Sequence, residues 1–364
     1  MTYPYTPDPE DTAKPADTDS ALMAAPEIRE LKTYLADELA SIASSISALQ
    51  ASSSGVNNNL LINGNFAVAQ RGESQTAAGY GSVDRWLMNR NGTTGTMSRQ
   101  AFTLGQTDVP GEPEFFLRHV VSSVSNAANY YNFEQRIEDV RTGANQDVTV
   151  SFYAKASASL SVAVELTQNF GSGGSTSVAV TPQKQLITTG WVKYSLTFAV
   201  PAIVGKTIGS DDYLSVKIWL DAGTDFNSNT GTLGHQSGTF EFAQIKSELS
   251  SSDTAFASEP LCITISKCLR FFECEKMEDL PATGTNWQSA YNSSSNIGLL
   301  VFPFKVNKRK IPTFSLGSGA SWSNTPTVRP YTSAVYCKGN TAYYYINVSG
   351  LSQNDIVWQA DAEL

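Results

Sequence analysis

The chain has 364 residues, enough for two or three domains, with 41% hydrophobic residues, 16% charged residues and a net charge of −9. That balance supplies apolar material for cores and argues against nucleic acid as a partner, because phosphate backbones need clustered Lys and Arg; the densest basic run, Lys305 to Lys310, is one short segment that reads as a solvated loop or edge strand. The longest apolar runs, such as Gly298 to Phe304, are too short for membrane insertion, and the N-terminus has no basic region followed by an apolar one, so it does not read as a secretory signal.

In chain order, the first 25 residues are rich in Pro, Asp and Thr and lack apolar periodicity. Such a segment is extended alone and orders on a partner, so residues 1–25 read as an anchor. Residues 26–58 read as a helix and a Ser/Asn-rich linker. Pro26 suits a first helical turn, Glu27 and Glu30 suit the positive end of the dipole, and Gly55 closes the region. Ile28, Leu31, Leu35, Leu39, Ile42, Ile46 and Leu49 recur at spacings of 3, 4, 4, 3, 4 and 3, close to a coiled-coil seam with one stutter. Either the helix's own domain or further copies of the chain can cover that stripe. With no sheet before it and a polar linker after it, self-association is favoured, and mixed Ile and Leu permit three strands.

From residue 59 to 260 the period becomes two. Val148, Val150, Phe152 and Ala154 share one face; so do Leu160, Val162, Val164 and Leu166; Val192, Tyr194, Leu196, Phe198 and Val200; and Leu214, Val216, Ile218 and Leu220. Their alternate positions are mostly polar, which predicts strands with one buried face. Glycine-rich turns at Gly171 to Gly174 and Gly205 to Gly209 separate them, and the spacing predicts an antiparallel β-sandwich or jelly roll. The alternation slips by one within Phe240, Phe242, Ala243 and Ile245, the mark of a β-bulge.

Residues 261–364 read as a connector helix carrying Leu261, Ile265, Leu269 and Phe272, followed by a small C-terminal β-domain whose best strand holds Ala342, Tyr344, Ile346 and Val348. Cys262, Cys268, Cys274 and Cys337 match no metal-ligand spacing and read as buried free thiols, consistent with assembly in a reducing bacterial cytoplasm. The expected fold class is mainly β. No metal or cofactor is called for.

The stretch NLLINGNFAVAQRG (Asn59 to Gly72), followed by Asp84, Arg85, Trp86 and Leu87, resembles the opening of a jelly-roll domain found in bacteriophage tail fibre proteins. The likeness continues through Ala128 to Arg141, Val148 to Ala156, Leu166 to Ser175, Thr188 to Leu220 and Phe240 to Leu249. Upstream, Asp17 to Leu35 is similar to the segment before the fibre shaft; downstream, Lys267 to Glu273 and Ala360 to Leu364 are similar to the junction and end of a terminal domain. The resemblance implies a homotrimeric virion fibre. Residues 1–25 would attach it to a tail or baseplate protein, and its sandwich would be shaped like family 4/9-type carbohydrate-binding modules. It implies a shape and not a ligand, since such domains also simply build the shaft.

Catalysis finds little support. His119 and His235 have no nucleophile motif beside them and read as surface residues. Gly171 to Gly174 lacks the lysine of a phosphate loop and reads as a turn. Asp211 and Asp212 precede a strand, where loop oxygens offer a cation site as the alternative to a plain turn. The sharper candidates lie on polar strand faces. Tyr153 with Lys155, and Tyr213, Ser215, Lys217 and Trp219, combine aromatic rings and hydrogen-bonding groups that suit a host-surface glycan, or else a neighbouring protomer. Trp86 and Trp191 are expected in the core. Trp287, Tyr291, Trp322, Tyr331 and Tyr336 lie among Asn, Ser and Thr, as on recognition surfaces, or fill a small core. A polysaccharide depolymerase would require a repeat period that is absent, and a head decoration or baseplate protein is the remaining alternative.

Overall fold

The computed structural model describes residues 33–42, 58–276, 297–310, 312–316, 329–330, 341–347 and 357–364. The chain divides into two units, Met1–Val56 and Asn57–Leu364. In the first, residues 33–42 form helix α1, on which Leu35, Leu39 and Ile42 are 50%, 66% and 48% exposed. The rest of the predicted seam (Ile28, Leu31, Ile46 and Leu49) and the anchor lie outside the described residues, as do Trp287, Tyr291, Trp322, Tyr331, Tyr336 and Cys337.

The second unit is built on a sandwich of β1 (Ser74–Gln75), β2 (Leu87–Asn91), β3 (Thr94–Ala101), β4 (Phe115–Ser122), β5 (Tyr130–Glu138), β6 (Asp147–Ala156), β7 (Leu160–Asn169), β8 (Val178–Ala179), β9 (Gln183–Ile187), β10 (Val192–Ala199), β11 (Tyr213–Ala222) and β12 (Gly238–Leu249). One sheet has the order β1-β3-β4-β12-β6-β10; the other runs β2-β5-β11-β7-β8, with β9 also on β7. Neighbours pair antiparallel, as in β12 with β6 and β11 with β5. The four alternating runs place their apolar sides between the sheets, where Val150, Phe152, Val164, Val216 and Ile218 join one core with Trp86, Phe133 and Phe242. The expected mainly β, antiparallel sandwich is what forms. Val192, at 42% exposure, is the member of those runs that stays outside.

Short helix α2 (Asn227–Thr230) follows β11, and α3 (Leu261–Leu269) occupies the predicted connector. Its buried face is Thr264, Cys268 and Leu269, so Leu261 and Ile265, expected inside, are exposed. Cys262 is likewise exposed and Cys274 half-buried; only Cys268 of the three described thiols fits the buried reading. After α3, β13 (Phe272–Lys276), β14 (Ile297–Pro303), β15 (Thr313–Leu316), β16 (Arg329–Pro330), β17 (Thr341–Asn347) and β18 (Val357–Asp361) form two three-stranded sheets, β13-β18-β15 and β14-β17-β16.

The opening motif is a lock on the end of the sandwich. Asn63 adopts a left-handed φ of 60°, a conformation that its short polar side chain tolerates. Its amide donates to Val68 O (2.8 Å) and Asp84 O (3.1 Å) and accepts from Val68 N (3.0 Å). Trp86 Nε1 donates to Asn63 O at 3.1 Å, fixing the indole between Phe66 and Phe133. The predicted bulge in β12 is present: its register on β6 shifts between Ala243 and Lys246, and Gln244 takes a φ of 51°. Gly64 abuts the bulge so closely that a Cβ there would sit 2.1 Å from Ile245 O.

The basic run is a loop that is solvated only in part: Lys305 and Lys310 are exposed, while its other two cations are tied down. Lys308, its side chain 3% exposed, pairs with the buried Glu273 at 2.5 Å, and Arg309 reaches Asp211 at 2.5 Å. Asp211 is thus committed to cations of the chain itself, while Asp212 Oδ1 accepts Val140 N at 2.6 Å.

Candidate functional site: the outer face of the β4-β12-β6 sheet

Strand register assembles the site. Ser98 lies opposite Arg118, Arg118 opposite Glu241, and Glu241 opposite Lys155, so one row crosses β3, β4, β12 and β6 on the solvent side. Arg118 Nε donates to Glu241 Oε1 at 2.7 Å, and Lys155 Nζ lies 3.0 Å from Glu241 Oε2. The carboxylate is sunk, with 8% of its side chain exposed, whereas Arg118 and Lys155 keep 36% and 35%. Glu241 Oε2 is shielded from solvent yet receives no aligned hydrogen bond. A groove of about 200 Å³ opens here, lined by Lys155, Ala156, Ser157, Thr189, Thr239 and Glu241.

Trp191, one residue before β10, ends the row. Its half-buried ring lies 5.2 Å from Lys155 Nζ and packs on Phe102 (5.3 Å) and edge-on to Phe116 (5.6 Å). These rings, with Tyr153, Val109 and Ala243, form an apolar cluster outside the main core. The loop between β3 and β4 is pinned beneath them. Gln106 exchanges two hydrogen bonds with the Val109 backbone, at 2.7 and 2.9 Å, and the bulge residue Gln244 donates to Pro110 O at 2.8 Å. The result is a half-buried aromatic ring beside fixed donors and a sunken carboxylate. Such a surface suits a ligand that is apolar on one face and hydroxylated at its edge.

Neither a protein-family model nor a curated protein sequence matches the chain. Solved structures do match, partially. A putative sugar binding protein from Bacteroides thetaiotaomicron aligns at TM-score 0.33 and 13% identity, over 53% of this chain and 100% of that one. A family 4 carbohydrate-binding module aligns at TM-score 0.31 and 14% identity, over 52% and 98%. The tailspike protein 4 enzymatically active domain of bacteriophage CBA120 aligns at TM-score 0.32 and 14% identity, over 53% of this chain and 22% of that one. The neighbours are jelly-roll sugar-binding modules and a phage tailspike domain. At these scores none carries weight for a ligand; the strand pairing and the groove stand on their own.

The four sandwich residues expected to contact glycan are split between opposite sheets. Tyr153 belongs to the cluster beneath the groove. Tyr213, Lys217 and Trp219 lie on β11 in the other sheet, and Trp219 is 4% exposed instead of on an open face. Phe226 from the loop after β11 and Tyr130 from the start of β5 cover it, packing on the indole at 5.2 and 5.6 Å, and Nε1 donates to Glu165 Oε2 at 2.8 Å. Lys217 sits between Glu134 (3.7 Å) and Glu165 (3.8 Å), its partners across the ladder on both sides. Burial works to raise the Glu134 carboxyl, but Lys217, Arg136 and the Ser215 hydroxyl outweigh it and hold the group below the usual carboxylate range. Arg136 stacks 4.9 Å from the Tyr213 ring. These residues complete a satisfied network that caps the sheet.

His119 and Trp191 depart from expectation, whereas His235 is at the surface as expected. His119 is fully buried and stacks on Phe133 at 4.3 Å, because it shares the inward parity of Leu117 and Val121 on β4. Trp191 is outside the main core, in the smaller apolar cluster beside the groove. His235 is at the surface, beside Ser123 and the buried Asp221. Ser123 Oγ and Asp221 Oδ1 both approach its Nδ1, at 3.1 and 3.0 Å. A hydrolytic triad places nucleophile and acid on opposite ring nitrogens, so this trio instead ties loops together. Among the described residues no cluster of three or more His, Cys, Asp and Glu side chains forms a metal site.

Proposed function

We propose that this chain is a non-catalytic structural and adhesive component of a bacteriophage tail fibre, binding host-surface glycan through the groove at Trp191. The observation that carries the reading is the half-buried Trp191 ring beside the Arg118–Glu241–Lys155 row. A pyranose ring laid against the exposed part of the indole buries its apolar C–H face, while its edge hydroxyls meet the ammonium and the guanidinium. The virion role draws on the tail-fibre resemblance of the opening motif and on the exposed Leu35, Leu39 and Ile42 of α1, which three copies of the chain would bury as a homotrimer. In this reading residues 1–25 dock on a tail or baseplate protein, and the particle is assembled in the host cytoplasm. The distal β-elements, with Trp287, Tyr291, Trp322 and Tyr331, share in host contact.

Retention of the purified chain on immobilised host polysaccharide, with Trp191→Ala in parallel, tests the binding. Saturable retention lost in the variant supports it. Equal retention of both proteins, or release of reducing sugar from the polysaccharide, overturns it.

A further inference from the structure

We infer that the groove at Trp191 selects an anionic sugar, one carrying a carboxylate or phosphate, over its neutral counterpart. This rests on the glycan-binding reading above and specifies its ligand class.

Charge placement leads to it. The row holds two cations and one carboxylate, and only the cations reach outward: Glu241 retains 8% side-chain exposure against 36% for Arg118 and 35% for Lys155. Glu241 Oε1 takes the Arg118 Nε and Nη2 contacts, both at 2.7 Å. Arg118 Nη1 then has only a long contact, 3.4 Å to Gln100 Oε1. Lys155 meets Glu241 Oε2 without an aligned hydrogen bond and stands 5.2 Å from the Trp191 centroid. An ammonium with uncommitted N–H groups beside an aromatic ring is set to meet an acid substituent on a sugar stacked there. The guanidinium adds a second donor across the same row. The buried Glu241 neutralises only part of this charge, and it holds both cations at the groove floor when no ligand is present. Charge-assisted hydrogen bonds of this kind outrank neutral ones, so a carboxylate or phosphate gains more here than a hydroxyl. The neighbouring row does not cancel the excess, since Lys193 is already paired with Asp253.

The test is an array of uronate-bearing and phosphorylated bacterial oligosaccharides, each printed beside its carboxyl-reduced or dephosphorylated counterpart and probed with the full chain. The expected result is at least about tenfold preference for the charged member of a pair, weakening with salt because the cations are partly exposed. Lys155→Gln and Arg118→Gln each lower binding of the charged member by a larger factor than binding of the neutral one, so the preference between the two narrows. Glu241→Gln raises binding of the charged member by removing the competing carboxylate. Thermal unfolding shows whether each variant is folded, and Lys155→Gln, at a partly exposed position, keeps the test valid should Glu241→Gln fail to fold. Equal binding of both members overturns this inference while glycan binding stands. Binding of neither, across the array, overturns glycan binding and this inference with it.

Discussion

Glu363 places its carboxylate on the guanidinium of Arg85, 278 residues earlier in the chain, with the two side chains only 5% and 1% exposed. Arg85 also donates to Arg136 O at 2.7 Å and stacks 3.4 Å from the Phe271 ring. Arg71 repeats the arrangement, 3.5 Å from Phe272 and paired with Asp361 and Glu363. The two arginines of the opening motif thus fasten the end of β18 and the residues after it to the sandwich.

Breaking that contact from one side leaves a buried charge without its partner. Glu363→Ala is expected to lower unfolding stability by about 3–5 kcal/mol, whereas Arg85→Met with Glu363→Leu loses much less because neither charge remains to be desolvated. Denaturant titration of the three proteins decides; a single variant within about 0.5 kcal/mol of wild type contradicts a structural pair.

Gly64 is demanded by space. Its missing Cβ would lie 2.1 Å from Ile245 O, and the Ile245 N to Gly64 O hydrogen bond of 3.0 Å holds the chain there. Gly64→Ala should cost about 2 kcal/mol or more through this overlap. Gly190→Ala, where nothing lies within 4 Å, should stay within about 0.5 kcal/mol. Equal melting temperatures for the two variants would refute the close approach.

His119 sets an acid sensitivity. Burial lowers its pKa from 6.5 to about 3, so the folded chain keeps it neutral while the unfolded chain protonates it first. Its contribution is complete above pH 6.5 and is lost as the pH falls towards about 3, at about 1 kcal/mol per pH unit. Nε2 has no hydrogen-bond partner, so His119→Leu removes a buried unsatisfied atom as well. The variant's stability should fall less steeply than wild type between pH 6 and 4, as chemical denaturation at stepped pH would record; parallel slopes would show that His119 is not the titrating group.

Helix α1 offers the assembly test. Leu39 is 66% exposed between Leu35 and Ile42, and Leu39→Asp puts a charge into any seam formed there. Sedimentation should show a trimer for the natural chain and a smaller species for the variant. A natural chain that sediments as a monomer rules out the seam.

What the sequence made legible follows from period two. Val148 to Ala154 and Leu214 to Leu220 disclosed their buried sides because alternation is local, and the slip at Gln244 disclosed the bulge. His119 was legible by the same rule, since it alternates with Leu117 and Val121. The groove was not. Arg118, Glu241 and Lys155 come from three strands far apart in the chain, and only the β4-β12-β6 order, which no local pattern encodes, makes them neighbours. Trp219 and Trp191 exchanged roles for a related reason. Alternation says that a side chain points away from the core, but not whether a loop such as the one bearing Phe226 then covers it.

The most direct test of the account is calorimetric titration of the full chain with the oligosaccharide it retains best, alongside Trp191→Ala. The account predicts saturable binding, at least about tenfold weaker in the variant through loss of the stacking surface, with the variant still unfolding cooperatively. Undiminished affinity in Trp191→Ala, or no heat of binding from either protein, would contradict it.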